Sequence, residues 1–292
     1  MSSPCPAVIT AADQRDITSR CTGAVYRIFV SRPLLPPPTT GYAVIYMLDA
    51  NAAFGTMTEA VRLQSARPQV TGVEPAIVVG IGFPTDLPFD LRRRTLDYTP
   101  DVDRMALAAT PDGSEWPPTG GAAAFLDFIE DELKPMIAAE LPINPARSVL
   151  FGHSFGGLFA LYALFNRPSA FQAFVAGSPS IWFGERVILK SERNFAEKLA
   201  ATAHAVRLMI AVGELEQTVS ARELAANDGG KRAAWVKQNR MVENAREMAS
   251  RLAELSPHGL RLAFEEFPGE NHVSVIPALI SKALQFALEP AS

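Results

Sequence analysis

The chain has 292 residues, of which 48% are hydrophobic, 20% charged and 9% aromatic, with a formal net charge of −4. That length bounds it at one or two domains with room for a large core, and the mild acidity speaks against nucleic acid or an anionic membrane surface as a partner. No apolar run approaches the roughly 18 residues of a membrane-spanning helix, and residues 1–25 lack the basic and apolar regions of a secretory signal, so the expected location is cytoplasmic. The two cysteines, Cys5 and Cys21, form no CxxC pattern and are expected as free thiols.

Residues 1–23 show no core periodicity and read as an N-terminal extension. Ala24–Val30 alternates as a strand, a Pro-rich turn covers Leu34 to Gly41, and Ala43–Leu48 is the continuous apolar run of a strand covered on both faces. Asp49-Ala50-Asn51 ends that run, and a helix follows to about Arg67. Pro75–Gly82 is a second buried strand. Residues 83–120, rich in Pro, Asp and Arg, read as a long loop or lid over the active site. Ala122–Glu140 has Phe125, Phe128, Ile129 and Leu133 at helical spacing. A strand ending at Phe151 and a helix from Leu158 to Phe165 flank a glycine-rich turn. Phe171–Gly177, Val206–Gly213 and Leu260–Phe267 are further strands. Helices are expected over Gly184–Ala201, over 218–255 with a break at Asp228-Gly229-Gly230, and over Val275–Leu288. Short apolar strands alternating with helices specify an α/β fold: a doubly wound, mostly parallel sheet with helices on both faces, here one domain over 1–292.

The turn reads Gly152-His-Ser154-Phe-Gly156. In a strand–turn–helix context this pattern makes a nucleophile elbow, with the serine hydroxyl projecting beyond the sheet and glycines where strand and helix pass closely. A serine hydroxyl is a weak nucleophile at neutral pH and needs a base within reach and a group that orients the base. Of four histidines, His153 lies inside the elbow, and His204 and His258 precede strands. Only His272 follows a strand end, where active-site loops of open α/β sheets gather. The orienting acid should follow Val206–Gly213, where Glu214 and Glu216 compete, with Glu270 as an outside candidate. The oxyanion of acyl transfer needs preplaced donors. One is the backbone N–H of Phe155, next to the nucleophile, and the other should come from the loop after Leu48. No HExxH, P-loop or Cys/His cluster is present, and Gly80-Ile81-Gly82 lacks the third glycine of a dinucleotide site, so neither metal nor cofactor is expected.

Tyr46-Met-Leu-Asp-Ala-Asn51, Phe83-Pro-Thr-Asp-Leu-Pro-Phe-Asp90, Arg94-Thr-Leu-Asp-Tyr-Thr-Pro100, Gly120-Gly121, Gly152-His-Ser-Phe-Gly-Gly157 and Ser178-Pro-Ser-Ile-Trp182 are similar to hydrolases of trilactone catecholate siderophores, the enterobactin and salmochelin esterase group. The resemblance runs from about residue 24 to residue 288. It implies an α/β-hydrolase fold and hydrolysis of esters linking N-acylated serine units, with Ser154 as nucleophile and His272 as base. It selects Glu216, three residues past the glycine that ends its strand, as the acid, although some members work with a Ser–His dyad. It makes the Asn51 N–H the second oxyanion donor. It implies that Arg94 faces an anionic catecholate or its ferric complex and that Trp182 stacks on an aromatic acyl group. One departure is Ala50, where the family has glycine after the aspartate. The implied partner is a small-molecule ester, a siderophore with or without iron. The same scaffold also serves general carboxylesterases and acyltransferases, and a non-catalytic siderophore binder is the remaining alternative.

Overall fold

A computed structural model describes residues 7–108, 110, 113–202, 205–225 and 229–289. Cys5, His204 and Asp228 lie outside the described residues, while Cys21 is exposed and free. Eight strands form one sheet: β1 (Ala12–Thr18), β2 (Val25–Ser31), β3 (Tyr42–Met47), β4 (Ala76–Gly82), β5 (Ile143–His153), β6 (Ala173–Gly177), β7 (Val206–Gly213) and β8 (Leu260–Phe267), in spatial order β1-β2-β4-β3-β5-β6-β7-β8. The six strands from β4 to β8 in that order pair in parallel, and β1 and β2 join antiparallel at one edge.

The central strands are apolar on both faces because both are covered. Along β3, Tyr42, Val44 and Tyr46 enter one core, and Ala43, Ile45 and Met47 enter the other. The first core is closed by the helical run from Ala122 to Glu140, by α4 (Phe155–Asn166) and by α6 (Met241–Ala253), the second by α1 (Ala50–Ser65) and α7 (Val275–Leu288). This is the doubly wound α/β-hydrolase arrangement expected from the alternation of strands and helices. It sets the carboxyl ends of the parallel strands, and the loops that follow them, along one edge of the sheet.

Four local departures have physical causes. Residues 12–18 are not part of an extension but an edge strand, Ala-Asp-Gln-Arg-Asp-Ile-Thr, whose charged side chains pair with neighbours, as Asp16 does with Arg27 at 2.8 Å. Charge on an edge strand discourages sheet-to-sheet association and also hides the strand from hydrophobic patterning. The expected loop 83–120 contains α2 (Leu91–Tyr98), capped by the Asp90 carboxylate accepting from Arg93 N–H at 3.0 Å. The buried face of α2 is Arg94, Thr95, Asp97 and Tyr98, so a helix is present without an apolar stripe. The helix Ala122–Asp127 (α3) passes through a π-helical turn at Phe128–Leu133 before continuing as Lys134–Glu140. Pro135 explains the widened turn, since its ring cannot pack against an ordinary preceding turn and it donates no N–H. Finally, Gly184–Ala201 is not one helix: Gly184, Glu185 and Arg186 have φ of 56°, 53° and 64°, and regular helix resumes at Ile188–Glu192 and Phe195–Ala200. In the following region, α5 (Gly229–Asn239) and α6 are separated by Arg240 at φ 46°.

The elbow assigns its close contacts differently from the motif's own glycines. A Cβ at Gly152 would lie 2.0 Å from the Gly156 carbonyl oxygen, and one at Gly157 would lie 2.5 Å from the Gly177 carbonyl oxygen. At Gly156 the nearest atoms, on Leu48, are 3.5 Å away, so the glycines that must lack a side chain are 152 and 157. Gly157→Ala is therefore expected to destabilise by about 2 kcal/mol or more through overpacking, whereas Gly156→Ala, in the first turn of α4, should be neutral or gain about 0.5–1 kcal/mol of helix propensity. Urea denaturation of the two variants checks this ordering, and equal stabilities would refute it.

Candidate active site

Ser154 stands between β5 and α4 with φ 63° and ψ −119°, outside the regions favoured by non-glycine residues. Its N–H donates to the Gly177 carbonyl at 2.9 Å, and its carbonyl accepts from Leu158 at 3.0 Å and from Ser180 at 3.2 Å. These bonds hold the strained turn from both sides. β5, β6 and β7 end side by side, which brings the loops after Gly177 and Gly213 next to the elbow.

The loop after β7 places Glu216 against His272, Oε2 to Nδ1 at 2.6 Å. The Glu216 side chain is 1% exposed and that of His272 38%. The other Glu216 oxygen accepts from the Gly213 N–H at 2.6 Å and the Ser178 hydroxyl at 2.5 Å. A buried carboxylate demands such donors. The competing acids are engaged elsewhere: Glu214 accepts from the Gly269 N–H at 2.8 Å, and Glu270 accepts from the Ser274 hydroxyl. Ser154, Glu216, His272, Trp182, Trp235 and Met241 border one cavity of about 100 Å³. His153 does not point into it. Its ring packs beside that of His272, centroids 4.6 Å apart, and burial together with the neighbouring charges keeps its pKa well below the usual histidine range.

Asn51 and Phe155 occupy the first turns of α1 and α4, where main-chain N–H groups have no intrahelical acceptor. The two turns adjoin: the Gly156 position faces Leu48 and the Asp49 carboxylate across ordinary contact distances. The side chain of Asn51 is committed elsewhere, its Nδ2 donating to the carbonyls of Phe83 at 3.0 Å and Thr85 at 2.8 Å and its Oδ1 accepting from Phe83 N–H at 2.9 Å. Only its main-chain N–H is left for a ligand. Ala50 in place of glycine carries no backbone cost, because the left-handed residue is Asp49, φ 51°, and Ala50 already belongs to α1. The methyl of Ala50 takes the space beside Gly80, where an added Cβ would come within 2.6 Å of it.

Arg94, which the resemblance sets against the ligand, is buried although it lies in the run Arg92-Arg93-Arg94. It is 7% exposed, and its Nε and Nη2 bond the two Asp49 oxygens at 2.9 and 2.8 Å. The guanidinium lies 5.6 Å from the Phe155 ring centroid, and Arg94 does not border the 100 Å³ cavity. Trp182 does, in an aromatic cluster with Trp116, Phe155, Phe183 and Trp235. Ser178, Tyr98, Trp116 and Trp235 were not singled out for roles from sequence. Ser178 was findable in principle, since it directly follows a strand at the carboxyl edge of the sheet. Among the described residues, no group of three His, Cys, Asp or Glu could hold a metal ion, and no helix is long and apolar enough to cross a membrane.

Residues 19–275 match the family profile described as "Putative esterase". The chain is 45% identical over 97% of its length, and 91% of the relative's, to ferri-bacillibactin esterase BesA of Bacillus subtilis. It is 39% identical to a siderophore enterobactin esterase of Emericella nidulans, covering 83% of this chain and 80% of that one. Among solved structures, the BES protein from Bacillus cereus superposes with a TM-score of 0.88 at 38% identity, covering 99% of this chain and 100% of the other. Siderophore hydrolase EstA from Aspergillus nidulans superposes with a TM-score of 0.86 at 33% identity, covering 99% and 97%. The chain thus belongs to this esterase family, with siderophore esterases among its near relatives, and is a carboxylic-ester hydrolase.

Proposed function

We propose that this esterase hydrolyses the ester bonds of a trilactone catecholate siderophore by a Ser154–His272–Glu216 triad. The observation that carries the mechanism is the contact between His272 Nδ1 and the buried, doubly bonded carboxylate of Glu216 at 2.6 Å. In this reading the contact favours the tautomer with the proton on Nδ1, which leaves Nε2 as the base. Ser154 attacks the ester carbonyl as His272 takes its proton. The N–H groups of Phe155 and Asn51, at two helix N-termini, receive the developing oxyanion where the helix dipoles favour negative charge. His272 then gives its proton to the departing seryl hydroxyl and activates a water that hydrolyses the acyl-enzyme. Glu216 stabilises the imidazolium in both half-reactions.

Arg94 serves this chemistry from below the surface. By holding Asp49 it fixes the turn that presents the Asn51 N–H, and it is a positioning residue in this reading rather than a substrate contact. Trp182 supplies an apolar face for an aromatic acyl group. The substrate class is supported by the relatives, whose names specify ferri-bacillibactin and enterobactin.

Ser154→Ala and His272→Ala should each lower kcat by about 10⁴–10⁶ with an unchanged melting temperature. Mass-spectrometric turnover of a purified trilactone catecholate, with and without iron, checks this beside p-nitrophenyl butyrate. Retained turnover in either variant sinks the assignment, and hydrolysis of the butyrate alone removes the siderophore substrate. Glu216→Gln should cost about 10²–10⁴ in kcat. Ser178→Ala, which leaves the carboxylate the donors of Gly213 and His272, should cost only about tenfold. Steady-state kinetics on the same substrate reads both, and a Ser178→Ala loss as large as that of Glu216→Gln would contradict the hierarchy.

A further inference from the structure

Trp182 borders two cavities. Beyond the one at Ser154 lies a second, of about 300 Å³, whose walls include Trp116, Trp182, Asn239, Ala106, Glu185 and Arg186. Two of the wall residues carry a buried donor with no acceptor among the described residues: Asn239 Nδ2, on a residue 2% exposed, and Trp182 Nε1. A buried polar group left unbonded costs about 1–3 kcal/mol, so a ligand oxygen brought within reach of either donor would relieve that cost. The aromatic wall is fixed in place. Trp116 Nε1 donates to the Ala108 carbonyl at 2.7 Å, and the Trp116 and Trp182 ring centroids are 6.2 Å apart. The backbone of Glu185 and Arg186 is left-handed, at φ 53° and 64°, a strained run that turns these two residues onto the cavity wall. The nearby guanidinium of Arg240 is already taken by Glu243 and Glu247.

A volume of about 300 Å³ is at the small end of ligand pockets. It suits one aromatic ring with its amide, not a whole trilactone. We propose that this cavity is a second subsite, which takes one hydroxylated aromatic acyl arm of the substrate while a different ester of the same molecule lies at Ser154. The ring packs against the Trp116–Trp182 pair. Amide and phenolic oxygens accept from Asn239 and Trp182, and a phenolic hydroxyl donates to Glu185. Arg186 adds a cation for an ionised phenol or carboxylate. The proposal rests on the aryl-acyl ester reading given above, and it assigns to the residues around 106, 182–186 and 239 the task of reading the arm that is not being cleaved.

The test is isothermal titration of N-(2,3-dihydroxybenzoyl)serine into Ser154→Ala protein, alone and combined with Asn239→Leu, Arg186→Ala or Ala106→Phe. The probe is expected to bind, with affinity about tenfold weaker in the Asn239→Leu and Ala106→Phe proteins and a smaller loss in Arg186→Ala. Thermal melts identify any variant that fails to fold. Ala106→Phe fills the cavity from a half-buried position, and Arg186→Ala changes an exposed side chain, so the proposal stays testable if Asn239→Leu unfolds. Equal affinity in all folded variants, or no binding to the Ser154→Ala protein, overturns the subsite. Turnover of the trilactone by the unaltered enzyme is followed separately. Intact turnover with equal probe affinities overturns the subsite and leaves the function standing. Absent turnover with cavity-dependent probe binding overturns the substrate assignment and supports the cavity.

Discussion

The ion pair between Asp49 and Arg94 sets the geometry around which the rest of the site is arranged. Both side chains are less than one-tenth exposed, and the two bonds between them are parallel and short. A carboxylate or a guanidinium at that depth is tolerable only with its partner, because neither can recover its hydration. Asp49 is held twice over, since its N–H also donates to the Tyr98 hydroxyl at 3.2 Å, and Tyr98 belongs to the same helix as Arg94. The turn after β3 therefore keeps its left-handed residue under two restraints from α2. The start of α1, the elbow at Ser154 and the ring of Phe155 all pack within reach of this pair. A neutral pair of similar shape could be as stable. What the ionic pair adds is direction, because a bidentate contact fixes the orientation of both partners.

The sequence made the central strands legible because they are apolar on both sides and bounded by turns, as Ala43–Leu48 and Val206–Gly213 illustrate, whereas the charged edge strand β1 was hidden. It made Ser154 and His272 legible through position at strand ends, which topology alone constrains. The loops were harder. Glu214, Glu216 and Glu270 are equivalent in composition, and only their donors in space distinguish them: Ser178 and Gly213 for Glu216, Gly269 for Glu214, Ser274 for Glu270. α2 was invisible because its buried face is polar, and a helix that buries Arg, Asp and Tyr carries no hydrophobic period. For the same reason nothing in the sequence pairs Arg94 with Asp49. Its partner lies 45 residues away along the chain, in a different element, and no local pattern announces it.

The near relatives of this chain are named for different siderophores, ferri-bacillibactin, enterobactin and triacetylfusarinine C among them. The fold accommodates such variety by separating its parts. Ser154, Glu216, His272 and the two helix N-termini sit on the sheet edge and the first turns beside it. The aromatic and polar walls around Trp116, Trp182, Trp235 and Asn239 come from the segments between strands, Trp235 and Asn239 from α5, where a changed segment does not disturb the sheet.

The loops carrying Glu216 and His272 are joined to each other as well as to the sheet. Leu215 N–H donates to the Glu270 carbonyl at 2.9 Å, Gly269 N–H donates to Glu214, and a side chain at Gly213 would collide with the Glu270 carbonyl at 2.4 Å. These shared contacts tie the two loops into one unit. A recombination event that exchanged one of them with a homologue while keeping the other would put at risk the Glu214 bond to Gly269 and the clearance at Gly213, so viable chimaeras in this family should carry residues 213–217 and 267–274 from the same parent.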